Sequence, residues 1–280
     1  MLYETPTITP IRMAEDELQI RVSGDANSPT LIYLPGLHGD WTLVAGFRRA
    51  ISRRMRIIEI TYPRSLEWSV ADYANAVEDA LRAHGITQGW VLGESWGSQV
   101  AWCLLDDRQR PTPTIAGPAG PGFQVQGIIL AGGFVKHPIP RGAWLLRQLG
   151  KRISTRRYQT QIKRYVRYAN WRHGSDLEIR ASLAEFAERR TERDREAVQK
   201  RLELMDSYDP RPVARRAQIP VHYLAGAIDP LVPWYLVRWW LRRHCPGYRG
   251  GETFWRADHN VLATAAEGSA EQVWRWVTTA

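Results

Sequence analysis

A chain of 280 residues with 44% hydrophobic content suits one α/β domain with an insertion, or two small domains. Its formal net charge is +9, but it holds only two cysteines, Cys103 and Cys245, and no run approaching the ~20 apolar residues of a spanning helix. Those counts exclude a disulfide framework, a zinc spacing and a transmembrane helix, and the two thiols read as buried and structural.

Met1-Leu2-Tyr3-Glu4-Thr5-Pro6 lacks the basic start and apolar stretch of a signal peptide, so a soluble, cytoplasmic protein is expected. Leu18 to Ser23 alternate apolar and polar and predict a first strand, closed by the turn cluster Gly24 to Pro29. Leu31-Ile32-Tyr33-Leu34 is continuously apolar, as a buried parallel strand is, and it ends in Pro35-Gly36-Leu37-His38-Gly39-Asp40. Met55 to Ile60 predicts the next strand. Val70 to His84 predicts a helix with Tyr73, Val77, Ala80 and Leu81 on one face.

Trp90-Val91-Leu92 then runs into Gly93-Glu94-Ser95-Trp96-Gly97, and Ser98 to Leu105 reads as a helix. A serine between two glycines at a strand-to-helix junction has the form of a nucleophile elbow. The turn is tight enough that side chains two residues either side of the serine would strike neighbouring backbone, and glycine also permits strained dihedrals. Ser95 would then stand clear at the strand's end, with the Trp96 N–H at the helix start pointing into the same space.

Asp106 to Gln126 is a Pro/Gly-rich connection longer than most loops, either functional or mobile. Ile128 to Ala131 is another buried strand. From Lys136 to about Arg216 the pattern is helical, with Tyr158, Ile162, Tyr165, Val166 and Ala169 at helical spacing and a capping box at Ser175-Asp176-Leu177-Glu178. Strands return with Val221 to Leu224, a Trp-rich helix covers about Trp234 to His244, and Thr253-Phe254-Trp255 predicts a last strand. Val261 to Val277 predicts a final helix broken near Gly268.

Alternating strands and helices imply a mostly parallel sheet covered on both faces, interrupted once by the helical block. The positive charge sits in that block. Of the 38 Lys and Arg, 11 lie between Lys136 and Arg172, a stretch with no Asp or Glu; the remaining 27 face 29 acidic residues. This basic segment is either a solvated helical face or an attraction for an anionic partner, such as a carrier or a lipid surface. No Gly-x-Gly-x-x-Gly or phosphate-binding loop is present, and no cofactor or metal is implied.

With these motifs the chain resembles an α/β-hydrolase of the serine-nucleophile branch with a helical cap. Gly93-Glu94-Ser95-Trp96-Gly97 matches that family's elbow. Leu34-Pro35-Gly36-Leu37-His38-Gly39-Asp40 stands where the family carries a His-Gly-x-x-Gly loop, with Pro35 in the histidine position. Gly226-Ala227-Ile228-Asp229-Pro230 is similar to the family's acid loop, and Asp258-His259-Asn260 falls at its histidine. The order Ser, Asp, His is the family's order. The resemblance implies a core formed by 1–135 and 217–280, with a basic helical cap at 136–216 inserted after the strand at 127–133. It implies a triad of Ser95, Asp229 and His259, oxyanion donors on the main chain of Leu37 and Trp96, and substrate contacts from His38 and Trp41. Asp258 reads as a loop residue rather than the orienting acid. A serine nucleophile excludes the branches that use aspartate. The Ser-Trp-Gly-Ser run is also similar to proline iminopeptidases, whose His-Gly-Gly loop is absent.

The expected function is a serine hydrolase that cleaves a small-molecule carboxylic ester or thioester with an apolar acyl part, anionic or carrier-bound. The alternatives are an acyltransferase using the same triad, and a non-catalytic protein that binds a ligand or a membrane surface. No nucleic-acid-binding motif accompanies the basic segment.

Overall fold

The computed structural model describes residues 17–106, 122–139, 141–151, 154–173 and 177–279. The opening hexapeptide, most of the Pro/Gly-rich connection, Arg152 and the Ser175-Asp176 pair lie outside them. Strands and helices alternate through β1 (Gln19–Ser23), β2 (Thr30–Leu34), α1 (Ala45–Ile51), β3 (Arg56–Thr61), α2 (Val70–Ala83), β4 (Gln88–Glu94), α3 (Gly97–Leu104) and β5 (Gln124–Ala131). Helices then follow one another: α4 (Gly142–Lys151), α5 (Thr155–His173), α6 (Leu177–Glu188), α7 (Glu192–Ser207) and the short α8 (Arg211–Ala214). The alternation resumes with β6 (Val221–Gly226), α9 (Trp234–His244), β7 (Tyr248–Phe254), α10 (Val261–Thr264) and α11 (Ala266–Thr279).

The seven strands form one sheet in the order β1-β3-β2-β4-β5-β6-β7, parallel except for β1, which runs antiparallel to β3 at the edge. Central strands are apolar on both sides because both faces are covered. Ile32, Leu34, Val91, Ile128, Leu130, Tyr223 and Ala225 point to the face packed by α2, α3 and α9. Leu31, Tyr33, Trp90, Leu92, Ile129 and Leu224 point to the face packed by α1, α10 and α11. The odd–even split follows from the two-residue repeat of a strand. Parallel pairing brings the carboxyl ends of β2, β4, β5 and β6 to one edge of the core, where open α/β sheets place their ligands.

Three elements differ from the sequence expectation. Helix α1 is unmarked in the sequence because it is only seven residues long, with Arg48 and Arg49 as its sole polar positions among the buried Ala45, Gly46, Phe47, Ala50 and Ile51, too short a run to set a period. Strand β7 begins at Tyr248, five residues earlier than expected, because Gly250 and Gly251 dilute its strand signal. Gly251 is required there, since a Cβ would lie 2.4 Å from the Tyr223 carbonyl oxygen of β6. The last helix breaks at Ala265, not at Gly268, which sits inside α11 where a side chain would collide with the Phe254 ring.

The helices between β5 and β6 pack on one another and on the core. Helix α4 lies on α7 and α5 on α6, while α6 packs against α1 and the Thr42–Val44 turn. Helix α5 is amphipathic. Ile162 and Ala169 are buried, whereas Arg156, Arg157, Lys163, Arg164 and Arg167 are exposed on its outer side.

Candidate active site

Strand β4 ends at Glu94, helix α3 begins at Gly97, and Ser95 between them takes φ +49°, a left-handed conformation that costs a non-glycine residue of order 1–3 kcal/mol. The strain therefore falls on the serine and not on its glycines. Gly93 and Gly97 serve close approach instead: a Cβ on Gly93 would lie 2.8 Å from Ser98 Cα, and one on Gly97 would lie 2.2 Å from the Leu34 carbonyl oxygen. The turn is pinned to β5 by the Ser95 N–H, which donates to the Ala131 carbonyl at 2.9 Å. Ser98 Oγ donates to the Ser95 carbonyl at 2.6 Å and accepts from the Phe134 N–H at 3.1 Å, tying elbow and β5 exit together.

Two distances connect the serine to the loops after β6 and β7. His259 Nδ1 lies 2.7 Å from Asp229 Oδ2, and His259 Nε2 lies 2.9 Å from Ser95 Oγ. A carboxylate only accepts, so Nδ1–H donates to Asp229 and Nε2 is left to accept from the serine hydroxyl. The other oxygen of Asp229 accepts from the N–H groups of Leu231 (2.8 Å) and Val232 (3.0 Å), which fixes the carboxylate without a cation. Asp258 faces elsewhere; its Oδ1 accepts from the Asn260 N–H at 2.9 Å. Gly132, at φ +55°, makes room for His259, whose carbonyl oxygen would lie 2.9 Å from a Cβ.

The loop after β2 forms the opposite wall. Leu37 lines the same cavity as Ser95, and Trp96 caps the start of α3 with its indole fully buried. Among the described residues neither the Leu37 nor the Trp96 N–H has an acceptor. His38 also lines the cavity, edge-on to Phe186 and 3.4 Å from Tyr158 Oη. Trp41 does not. Its ring is buried in the core beneath α1, with the guanidinium of Arg21 4.3 Å from its centroid, so the expected substrate contact is corrected to a packing role.

Two arginines that belong to no motif hold this loop from the helical block. Arg190 is buried between Asp40 and Asp194, donating to Asp194 Oδ1 at 2.6 Å and to Asp40 Oδ2. Burial disfavours the charge of both aspartates, but Arg190 holds Asp40 below its usual range, and His38, 3.7 Å away, together with Arg190 and the Tyr158 hydroxyl does the same for Asp194. Arg201, fully buried in α7, donates to the carbonyls of Leu37 (2.8 Å) and Pro63 (3.0 Å). Its guanidinium fills the space a Cβ on Gly39 would need.

The cavity holds about 380 Å³. Leu37, Leu43, Ile162, Phe186, Pro230 and Leu231 make it apolar near Ser95, and Tyr165, Asn260, Asp258 and Glu94 add polar groups. Tyr165 and Ile162 carried only the helical spacing expected of core positions, and Glu94 stood in the elbow without an assigned role. Glu94 Oε2 accepts from Tyr33 Oη at 2.5 Å. Burial pushes its carboxyl above the usual range, against the opposing effects of that hydrogen bond and of His259. Among the described residues no cluster of three His, Cys, Asp or Glu is placed to hold a metal ion, and no helix is long and apolar enough to cross a membrane.

A parallel sheet with helices on both faces, and a serine turned out at a strand-to-helix junction toward a histidine and an acid, define the α/β-hydrolase class. The chain belongs to the alpha/beta hydrolase family, whose profile matches residues 31–272. No curated protein sequence matches it. Its fold is similar to that of the enol-lactonase from Burkholderia xenovorans LB400, at 16% identity and TM-score 0.70 over 93% of this chain and 96% of that one. An esterase from Exiguobacterium antarcticum has 14% identity and TM-score 0.69 over 93% and 95%. A thermophilic esterase from Thermogutta terrifontis has 14% identity and TM-score 0.70 over 94% and 93%.

Proposed function

We propose that the protein is a serine hydrolase that cleaves a small carboxylic ester or thioester, with an apolar acyl part, through an acyl-enzyme. The observation that carries this reading is the continuous hydrogen-bonded line from Asp229 through His259 to Ser95 Oγ, with links of 2.7 and 2.9 Å. That esterases and an enol-lactonase share this fold supports ester-type chemistry.

Ser95 Oγ attacks the substrate carbonyl carbon as its proton passes to His259 Nε2. Asp229 keeps the imidazole in the tautomer that can take that proton and stabilises the imidazolium. The N–H groups of Leu37 and Trp96 stabilise the oxyanion, and losing such a donor costs about 3–4 kcal/mol of barrier. Collapse expels the alcohol or thiol, which takes the proton from His259. Water, deprotonated by the same nitrogen, then attacks the acyl carbon and releases the acid and Ser95.

In this reading residues 136–216 are the cap over a core of 1–135 and 217–280, since Ile162, Tyr165 and Phe186 roof the cavity. The cavity, about 380 Å³ and mostly apolar beside Ser95, has room for a small-molecule ester and suits an apolar acyl part. Among the described residues no lysine or arginine lines the cavity, so the exposed cations of α5 do not complement an anionic substrate group inside the site.

The test is covalent labelling. A fluorophosphonate is expected to modify Ser95, and Ser95→Ala to abolish both labelling and hydrolysis of short-chain p-nitrophenyl esters. Labelling that survives Ser95→Ala would overturn the assignment.

A further inference from the structure

A buried positive charge stands directly behind the loop after β2. Arg201 of α7 is fully buried, yet among the described residues no carboxylate lies within ion-pair distance of it. Arg190, buried like it, is answered by Asp40 and Asp194. What surrounds Arg201 is uncharged. It donates to the carbonyls of Leu37 and Pro63 at 2.8 and 3.0 Å, and its Nε has no acceptor. The ring centroids of Tyr62, Tyr73 and Trp96 each lie 5.7 Å from its guanidinium carbon. Carbonyl dipoles and ring faces soften the cost of burying a cation but leave its charge unneutralised. A lone buried ion is a cost to folding, and here it is held where a negative charge would develop.

Leu37 and Trp96 carry the two N–H groups that meet the oxyanion in the proposed mechanism. Arg201 touches both residues, Leu37 by a hydrogen bond to its carbonyl and Trp96 through the face of its ring. A Cβ on Gly39 would collide with the guanidinium, so no side chain separates the charge from the loop. We infer that Arg201 is a positioning residue of the oxyanion site: it fixes the Leu37 segment, and its uncompensated charge favours the oxyanion over the neutral carbonyl. The inference rests on the reading of Ser95 as nucleophile. The carbonyl that Arg201 holds and the N–H that meets the oxyanion belong to one residue, which sets the two charges roughly 7 Å apart. At an effective dielectric constant of about 20, a unit charge at that separation favours an anion by about 10- to 100-fold. The neutral ground state gains little from it, so the effect falls on kcat rather than on KM.

The experiment compares Arg201→Lys and Arg201→Gln with wild type. Each variant gives up the two-carbonyl fork and keeps a donor for one carbonyl, but only lysine keeps the charge. On a short-chain p-nitrophenyl ester, Arg201→Gln is expected to lower kcat about 10- to 100-fold with KM within about threefold, and Arg201→Lys to stay within about tenfold of wild type and well above Arg201→Gln. A second readout is butylboronic acid. Ser95 Oγ forms a bond to boron as its proton passes to His259, which leaves a tetrahedral boronate anion in the site. Its inhibition constant should rise in Arg201→Gln by about the factor that kcat falls, and should change far less in Arg201→Lys. Equal losses in the two variants, or a rise in KM that accounts for the loss in kcat/KM, would show a clamp without an electrostatic part and overturn the inference. Should thermal melts show that Arg201→Gln does not fold, Arg201→Lys decides: within about tenfold of wild type in kcat and boronate affinity supports the inference, and a larger loss in the folded variant overturns it. These outcomes leave the nucleophile standing, whereas absent fluorophosphonate labelling of the wild type removes both.

Discussion

Gly97→Ala is the sharpest perturbation of the elbow, because the added methyl group meets only backbone. Its Cβ would lie 2.2 Å from the Leu34 carbonyl oxygen, 2.7 Å from that of Pro35 and 2.8 Å from the Leu34 carbonyl carbon. Ordinary contact begins at 3.4 Å, so the two segments must part by more than ~1 Å. Leu34 cannot yield easily, since it is in register with Gly93 inside the sheet. What moves is the Pro35–Leu37 segment or the first turn of α3, the two pieces that carry the Leu37 and Trp96 N–H groups. A displacement of about 1 Å in a catalytic array costs on the order of 100-fold in rate. Overpacking itself costs about 1–3 kcal/mol, and at roughly 2–4 °C per kcal/mol for a domain this large the Tm should fall by about 2–12 °C. The control is Gly85→Ala. Gly85 has φ +67° but nothing within 4 Å of a Cβ, so this change carries backbone strain of about 1 kcal/mol without displacing anything. Turnover of a short-chain p-nitrophenyl ester and thermal melts are measured on both. Turnover of Gly97→Ala within threefold of wild type, or an equal loss in Gly85→Ala, would refute the reasoning.

The other expectations concern the triad, the buried ions and the outer face. His259→Ala and Asp229→Asn should each lower kcat by orders of magnitude while Asp258→Asn stays within a fewfold, and steady-state kinetics that reverse the two aspartates would identify the wrong acid. Arg190→Met leaves Asp40 and Asp194 as unpaired buried carboxylates and should lower unfolding free energy by about 3–5 kcal/mol in urea titrations. Burial, with a smaller effect of Arg249, holds the folded pKa of His222 down at about 4, while the unfolded chain takes its proton near 6.5. The unfolded state therefore binds more protons between those values, and this contribution to stability is complete above pH 6.5 and lost as pH falls toward 4. Stability profiles of wild type and His222→Phe should diverge in that window and nowhere above it. Arg156→Glu with Arg157→Glu should leave kcat/KM for a neutral ester within twofold, because both side chains stand on the solvent side of α5.

Local chemistry decided what was legible in the sequence. Ser95, Asp229 and His259 each follow a strand among residues that a turn or an elbow needs, so short windows single them out as candidates, and the structure brings the three within hydrogen-bond distance of one another. The strands show along the chain as apolar runs, whereas their order in the sheet does not. Helix α1 leaves no such trace because its seven residues, mostly buried apart from Arg48 and Arg49, are too few to show a period. Trp41 was misjudged since its place beside the loop after β2 says nothing about which way the ring turns, and it turns into the core. Arg190 and Arg201 lay inside a helical stretch crowded with charge, where a solvated face is the default reading. Their acceptors stand 150 and 164 residues away, and no window of sequence carries that pairing. Glu94 was visible as a letter in the motif, but its hydrogen bond from Tyr33, 61 residues away, is not.

The arginine beneath the loop after β2 also bears on how the chain comes into being. Arg201 reaches Leu37, and His259 reaches Ser95, each across 164 residues. A ribosome delivers the amino-terminal strands first, and their sheet can begin to order as they emerge. The loop after β2 nonetheless lacks its anchor until α7 exists, and Ser95 lacks its contact with His259 until the loop after β7 has been made. Under the proposed mechanism a nascent chain is therefore without its proton acceptor through most of its synthesis, and the serine gains it only with the arrival of the last strand and the loop behind it.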